Sequence, residues 1–67
     1  MFYIFFETES RLLHEGTKYN IELPTRQMQD EIASDLEKYA EVFNVQKLNE
    51  PVPEYPVLTK ETYKRNI

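Results

Sequence analysis

Phe2-Tyr3-Ile4-Phe5-Phe6, directly after Met1, combines four aromatic residues with one β-branched residue. Side chains alternate between the faces of a strand, so this run sets Phe2, Ile4 and Phe6 on one side and Tyr3, Phe5 and Glu7 on the other. A strand that is apolar on both faces needs a cover on each and belongs at the centre of a sheet. In a chain of 67 residues the first cover can be one helix. What supplies the second decides how the protein is read.

The next stretch with strand character runs from Thr17 to Leu23. Thr17, Tyr19, Ile21 and Leu23 alternate with Lys18, Asn20 and Glu22, the period-two pattern of a half-buried strand. Between the two strands lies Glu9 to Gly16, which holds the only glycine of the chain. It reads as a loose hairpin loop with Leu12 and Leu13 folded beneath it; the competing reading starts the second strand near Arg11 and turns at Glu15-Gly16.

Pro24 and Thr25 open a helix, because proline gives up no needed amide in a first turn and a threonine hydroxyl can cap the amides that follow. Met28, Ile32, Leu36, Tyr39 or Ala40, and Phe43 recur at helical spacing. Asp30, Glu31, Ser34, Asp35, Lys38 and Glu41 fall on the other side, so the helix is amphipathic with an acidic exterior. It is expected to fray near Glu41, where Val42 to Leu48 turns to a β-branched, alternating pattern suited to a third strand; a helix continuing to Leu48 is the alternative. Pro51 ends either one. Pro51, Pro53 and Pro56 then exclude helix and central strand, leaving an extended segment near polyproline II up to Leu58. Thr59 to Ile67 suits one short helical turn.

These elements assemble as a small α+β domain of ββαβ type. A right-handed crossover of the helix brings the third strand to the free edge of the first. The expected sheet is three-stranded, antiparallel throughout and ordered 2-1-3, with the helix on the face of Phe2, Ile4 and Phe6. The expected division is a core over 1–50 and an extended Pro-rich tail over 51–67, either packed back or partner-binding. So short a chain without cysteine sits near the lower limit for a single core, and cover for the second face would help it.

Charge and composition narrow the function. Eight basic and twelve acidic residues give a net charge of −4, which repels phosphate and makes direct nucleic-acid binding unfavourable. The apolar start lacks the basic region and cleavage site of a signal peptide, and no apolar run is long enough to span a bilayer, so the expected location is the cytoplasm without membrane association. His14 is the only histidine, and no cysteine accompanies it. That leaves no familiar metal site, no cofactor motif and no nucleophile with a base beside it, and a non-enzymatic role is expected.

Two surfaces remain as candidates. Tyr3 and Phe5 form an aromatic centre inside a polar rim of Lys18, Asn20, Glu22, Asn44 and Gln46, which has the layout of an interface anchor. Either Val52, Tyr55, Val57 and Leu58 of the tail fold back over them, or a foreign partner covers them together with Tyr55, or a second copy does through this face or a sheet edge. The second candidate is the acidic set Asp30, Glu31, Asp35 and Glu41, which would steer a partner with a basic surface. The expected function is a small protein-binding module, and the alternatives are an acidic DNA mimic that sequesters a nucleic-acid-binding protein and a homo-oligomeric assembly subunit.

From Phe2 to Leu48 the order of elements, though not the residues, is similar to that of small phage-encoded inhibitors of host RNA polymerase, in which a three-stranded sheet carries one helix. The resemblance implies a phage or mobile-element protein that binds and inhibits or modulates a host protein in the host cytoplasm.

Overall fold

A computed structural model describes residues 1–9 and 16–61. The aromatic opening run lies in β1, Phe2–Glu9, which pairs antiparallel with β2, Gly16–Leu23, on one side and with β3, Val42–Leu48, on the other. The ladder to β2 is unbroken from Phe2 opposite Leu23 to Glu9 opposite Gly16. This register puts Ile4 and Phe6 on the same face as Tyr19, Ile21 and Leu23. Ile4, Phe6, Ile21 and Leu23 are completely buried, together with Leu36 of the helix.

The helix, α1, spans Arg26–Glu37. Thr25 stays extended and its hydroxyl accepts the Met28 amide at 3.1 Å, satisfying one of the donors that a helix start leaves open. At the other end the Lys38 and Tyr39 amides reach back three residues to the Asp35 and Leu36 carbonyls, and these tighter bonds close the helix short of the expected Glu41. Two side chains assigned to the inner helical face are corrected as a result. Tyr39 falls in the turn after α1 and Phe43 within β3, each 48% exposed. The face turned to the sheet is instead built from Gln29, Ile32, Ala33 and Leu36, with Met28 half-buried beside it.

β3 occupies the expected residues but departs from simple alternation. Phe5 pairs with Gln46 and Glu7 with Phe43, so Phe6 alone spans both Asn44 and Val45. Asn44 adopts φ 53, a left-handed conformation that asparagine tolerates better than most residues, and it forms a β-bulge. The extra residue lets Val42 and Val45, three apart, both pack on the core. It also sends Phe43 to the opposite face, beside Glu7, while Asn44 Nδ2 donates to the Glu7 carboxylate at 2.6 Å.

The sheet is not three-stranded. Val57–Leu58 form β4, parallel to β2, giving a mixed four-stranded sheet in the order β3-β1-β2-β4. Proline density rules out a central strand but not an edge. Pro56 lacks an amide, yet its carbonyl accepts the Asn20 amide at 2.8 Å, and the two residues after it are free of proline.

The chain's two crossovers explain how both faces become covered. β2 and β3 each run opposite to β1, and β4 runs with β2. The connection from β2 through α1 to β3 therefore joins parallel strands, and so does the connection from β3 through 49–56 to β4. The second crosses the sheet in the reverse direction. Two connections of one handedness running opposite ways must lie on opposite faces, and the segment 49–56 accordingly passes over Phe5 while α1 covers Phe6. Lys60 and Glu61 begin the expected terminal turn; the rest of it, 62–67, lies outside the described residues, as do Leu12, Leu13 and His14.

Candidate functional site

Beneath the crossing segment, Phe5 is 7% exposed and its ring lies 5.5 Å from that of Tyr55, tilted by 38°. Asn20 sits opposite Phe5 in the β1–β2 ladder and is fully buried. Its Nδ2 donates to the carbonyls of Val52 at 3.0 Å and Tyr55 at 3.1 Å, and its Oδ1 accepts the Val52 amide at 2.8 Å. One amide side chain thus reads the backbone of the strap at two places, while its own main-chain N–H holds Pro56. Lys18 adds a peripheral clasp: Nζ is 3.4 Å from the Tyr55 hydroxyl, 5.3 Å from the ring centre and 3.7 Å from the Glu7 carboxylate.

Of the expected anchors, Phe5 and Tyr55 are therefore brought together against each other, and Tyr3 stands half-buried on the same face with its hydroxyl donating to Glu22 at 3.2 Å. Asn20 was expected in the polar rim and is instead its buried centre. A single asparagine among the outward positions of β2, facing an aromatic residue in need of cover, was the available signal. Gln29 is a second polar residue with the same kind of duty. Its Nε2 donates to the Tyr3 carbonyl at 2.8 Å and the Leu48 carbonyl at 3.0 Å, tying α1 to the β1–β3 end of the sheet.

Two groups here hold protons more firmly than usual. The Tyr3 phenol is raised by burial, then by its hydrogen bond to Glu22 and that carboxylate's charge. The Lys18 ammonium is raised by its hydrogen bond to Tyr55 and that group's charge, then by the charge of Glu7, with desolvation opposing. A raised folded-state value contributes stability below the unfolded value and loses it as pH climbs through the folded one. The contribution is thus whole below the ordinary values of 10.0 and 10.5 and disappears above them. Urea unfolding midpoints are expected to fall as pH rises beyond that range, and a Tyr3→Phe, Lys18→Met double variant to fall less steeply. An identical slope in the two proteins would contradict the assignment.

The acidic candidates divide into two places. Asp30, Glu31 and Asp35 are exposed on the outer side of α1. Lys47 meets Asp30 at 3.1 Å, Lys38 meets Asp35 at 3.9 Å, and Gln27 donates to Glu31 at 3.1 Å. Glu41 is not on the helix but in the turn leading to β3, where its carbonyl accepts the Glu9 amide at 2.9 Å. There it borders a half-enclosed cavity of about 310 Å³ at the end of the sheet, between the Phe6 face of β1 and the turn after α1. Among the described residues, Tyr19, Val42 and Leu58 provide its apolar side, Glu9 and Glu41 its charged side, and Tyr39 its most exposed ring.

Among the described residues no group of three or more histidine, aspartate or glutamate side chains is placed to hold a metal ion, and no helix is long and apolar enough to cross a membrane. Compared with protein-family models, with curated proteins and with solved structures, the chain matches none.

Proposed function

We propose that the chain is a small non-enzymatic protein-binding module that offers an acidic surface to a basic partner, with a phage or mobile-element protein acting on a host target as the setting. The observation that carries this reading is the exposure of five carboxylates, those of Asp30, Glu31, Asp35, Glu37 and Glu41, along α1 and the turn that follows. The helix is held to the sheet mainly by its buried side, Gln29, Ile32, Ala33 and Leu36, and of its own carboxylates Asp30 reaches the sheet, through its exposed pair with Lys47 of β3. Clustered exposed charge of one sign accelerates encounter with a surface of the opposite sign.

The aromatic trio has a different place in this proposal. Phe5 and Tyr55 spend their surface on each other, so contact with a partner falls to the acidic side, and Tyr3 with the rim of Tyr55 adds at most a border. Mimicry of DNA calls for an unbroken array of negative charge, and Lys47 and Lys38 interrupt this one at Asp30 and Asp35.

Affinity capture from the native host, with the intact chain as bait, tests the proposal. A partner retained by the native chain should associate about tenfold more slowly at low salt with an Asp30→Asn, Glu31→Gln, Asp35→Asn variant. Failure to retain any protein, or a captured partner indifferent both to these substitutions and to salt, would contradict it.

A further inference from the structure

We infer that two copies of the chain exchange their straps at high concentration, residues 51–58 of each closing over Phe5 and Asn20 of the other. The first ground is a mismatch between the cover and what it covers. Phe5 is 7% exposed and Asn20 is completely buried, whereas Val52, Tyr55 and Leu58 of the strap are only half-buried and Pro53, Glu54, Pro56 and Val57 are exposed. A segment that buries so little of itself opens before the core of α1, β1, β2 and β3 does. On opening it uncovers an apolar ring and the whole carboxamide of Asn20, and that state is driven to regain the same cover.

The second ground is the hinge. Gln29 holds the Leu48 carbonyl and Asn20 holds Val52, so Asn49, Glu50 and Pro51 are all that connects two fixed points. Leu48 lies opposite Tyr3, and Tyr3 opposite Glu22. These three residues therefore carry the chain across two strand spacings, roughly 10 Å, and up over the face. Asn49 and Glu50 bend to do so, and Pro51 has a fixed φ. A connection this short closes on its own sheet with little slack, while one that continues into a second copy needs no such bend. Short hinges of this kind favour exchange of a terminal element.

The occupant is a second copy because the strap itself is the segment that the face fits. Asn20 meets the Val52 amide and the carbonyls of Val52, Tyr55 and Pro56, a pattern made by the turn in which the Tyr55 amide reaches the Val52 carbonyl. That turn also places the Tyr55 ring against Phe5 and Lys18. Every copy carries the turn, and Pro51, Pro53 and Pro56 restrict the released strap, which lowers the ordering cost of rebinding. Exchange keeps the contacts of the closed chain, and each covered face is then incomplete without the other copy.

The test starts with the full, unsubstituted chain. Equal parts of isotope-labelled and unlabelled protein are mixed, opened at the urea midpoint and returned to buffer at about 10 μM and about 1 mM, the upper value being near the effective concentration of a short tether. Light scattering after size exclusion is expected to find monomer in the dilute sample and mainly dimer in the concentrated one. Isotope-filtered NOEs of the dimer should join Phe5 to Tyr55 and Asn20 to Val52 between copies. Inserting Gly-Ser-Gly between Glu50 and Pro51 gives each strap the slack to close on its own sheet and should weaken dimerisation about tenfold. Monomer at both concentrations, a dimer whose Phe5–Tyr55 contacts stay within one copy, or a dimer indifferent to the insertion would each overturn the inference.

Discussion

Asn20→Ala is expected to destabilise the protein by about 2 to 4 kcal/mol, since it removes the buried side-chain hydrogen bonds to Val52, Tyr55 and Pro56 and leaves backbone groups of the strap without partners. A domain of this size has a total stability of only about 3 to 10 kcal/mol, so the loss is a large fraction of the whole. Asn20→Asp makes the sharper experiment. The carboxylate keeps an acceptor for the Val52 amide but turns a second oxygen, instead of the donating Nδ2 of the carboxamide, toward the Val52 and Tyr55 carbonyls. It should cost at least as much as alanine at neutral pH and recover part of the loss as the carboxyl protonates in acid. Urea unfolding followed by circular dichroism reads both variants. A loss under about 1 kcal/mol for either would show that the strap is not held through Asn20.

Phe6→Ala should carry the largest cost of any single truncation, about 3 to 5 kcal/mol. The side chain is completely buried at the middle of the central strand, 5.7 Å from the Tyr19 ring, with Ile32 and Leu36 of α1 in the same cluster. In a chain with no disulfide to limit the unfolded state, such a change leaves the protein near its folding threshold at physiological temperature. Phe5→Ala is expected to cost less, because its cover is a single strap and ring instead of a helix and a sheet face. Thermal melts of the two variants should therefore separate clearly, with Phe6→Ala the lower. Equal melting temperatures would mean that the two faces contribute alike.

The helix side of the fold was legible because its signals are local. Alternation from Thr17 to Leu23 specifies β2, Pro24-Thr25 specifies the start of α1, and the doubly apolar run specifies a central β1. The departures come from features that local pattern does not encode. Asn44 at φ 53 changes the parity of β3, so Phe43 moves to the face opposite the one its spacing from Leu36 suggested. The end of α1 at Glu37 depends on three-residue amide bonds instead of a glycine or proline stop, and it releases Tyr39 to the cavity. β4 contains only Val57 and Leu58, too short for any periodicity, and it is recruited by partners in β2 that are distant in sequence.

The candidate site was legible to the same degree. Tyr3, Phe5 and Tyr55 are legible as residues with surplus aromatic surface, and fold-back of the tail is one of the covers the sequence allows for them. The hydrogen bonds that direct the fold-back depend on the position of Asn20 opposite Phe5, which only the strand register reveals. Asp30, Glu31 and Asp35 were placed together correctly on the exposed side of α1. Glu41 was separated from them by the early helix end and gained Glu9 and Tyr39 as neighbours. That cavity joins residues from four separate segments, so no motif marks it in the sequence.

The central claim is that the chain covers its own second face with residues 49–58. Native-state hydrogen exchange at the Asn20 and Val52 amides tests it most directly, because Asn20 donates to Pro56 and Val52 donates to the Asn20 side chain. A closed strap predicts slow exchange at both, approaching the protection of the Ile4 and Phe6 amides in the central strand. Exchange at Asn20 and Val52 at the rate of an open chain, with Ile4 and Phe6 still protected, would contradict it and return Tyr3 and Phe5 to the surface as anchors for a partner.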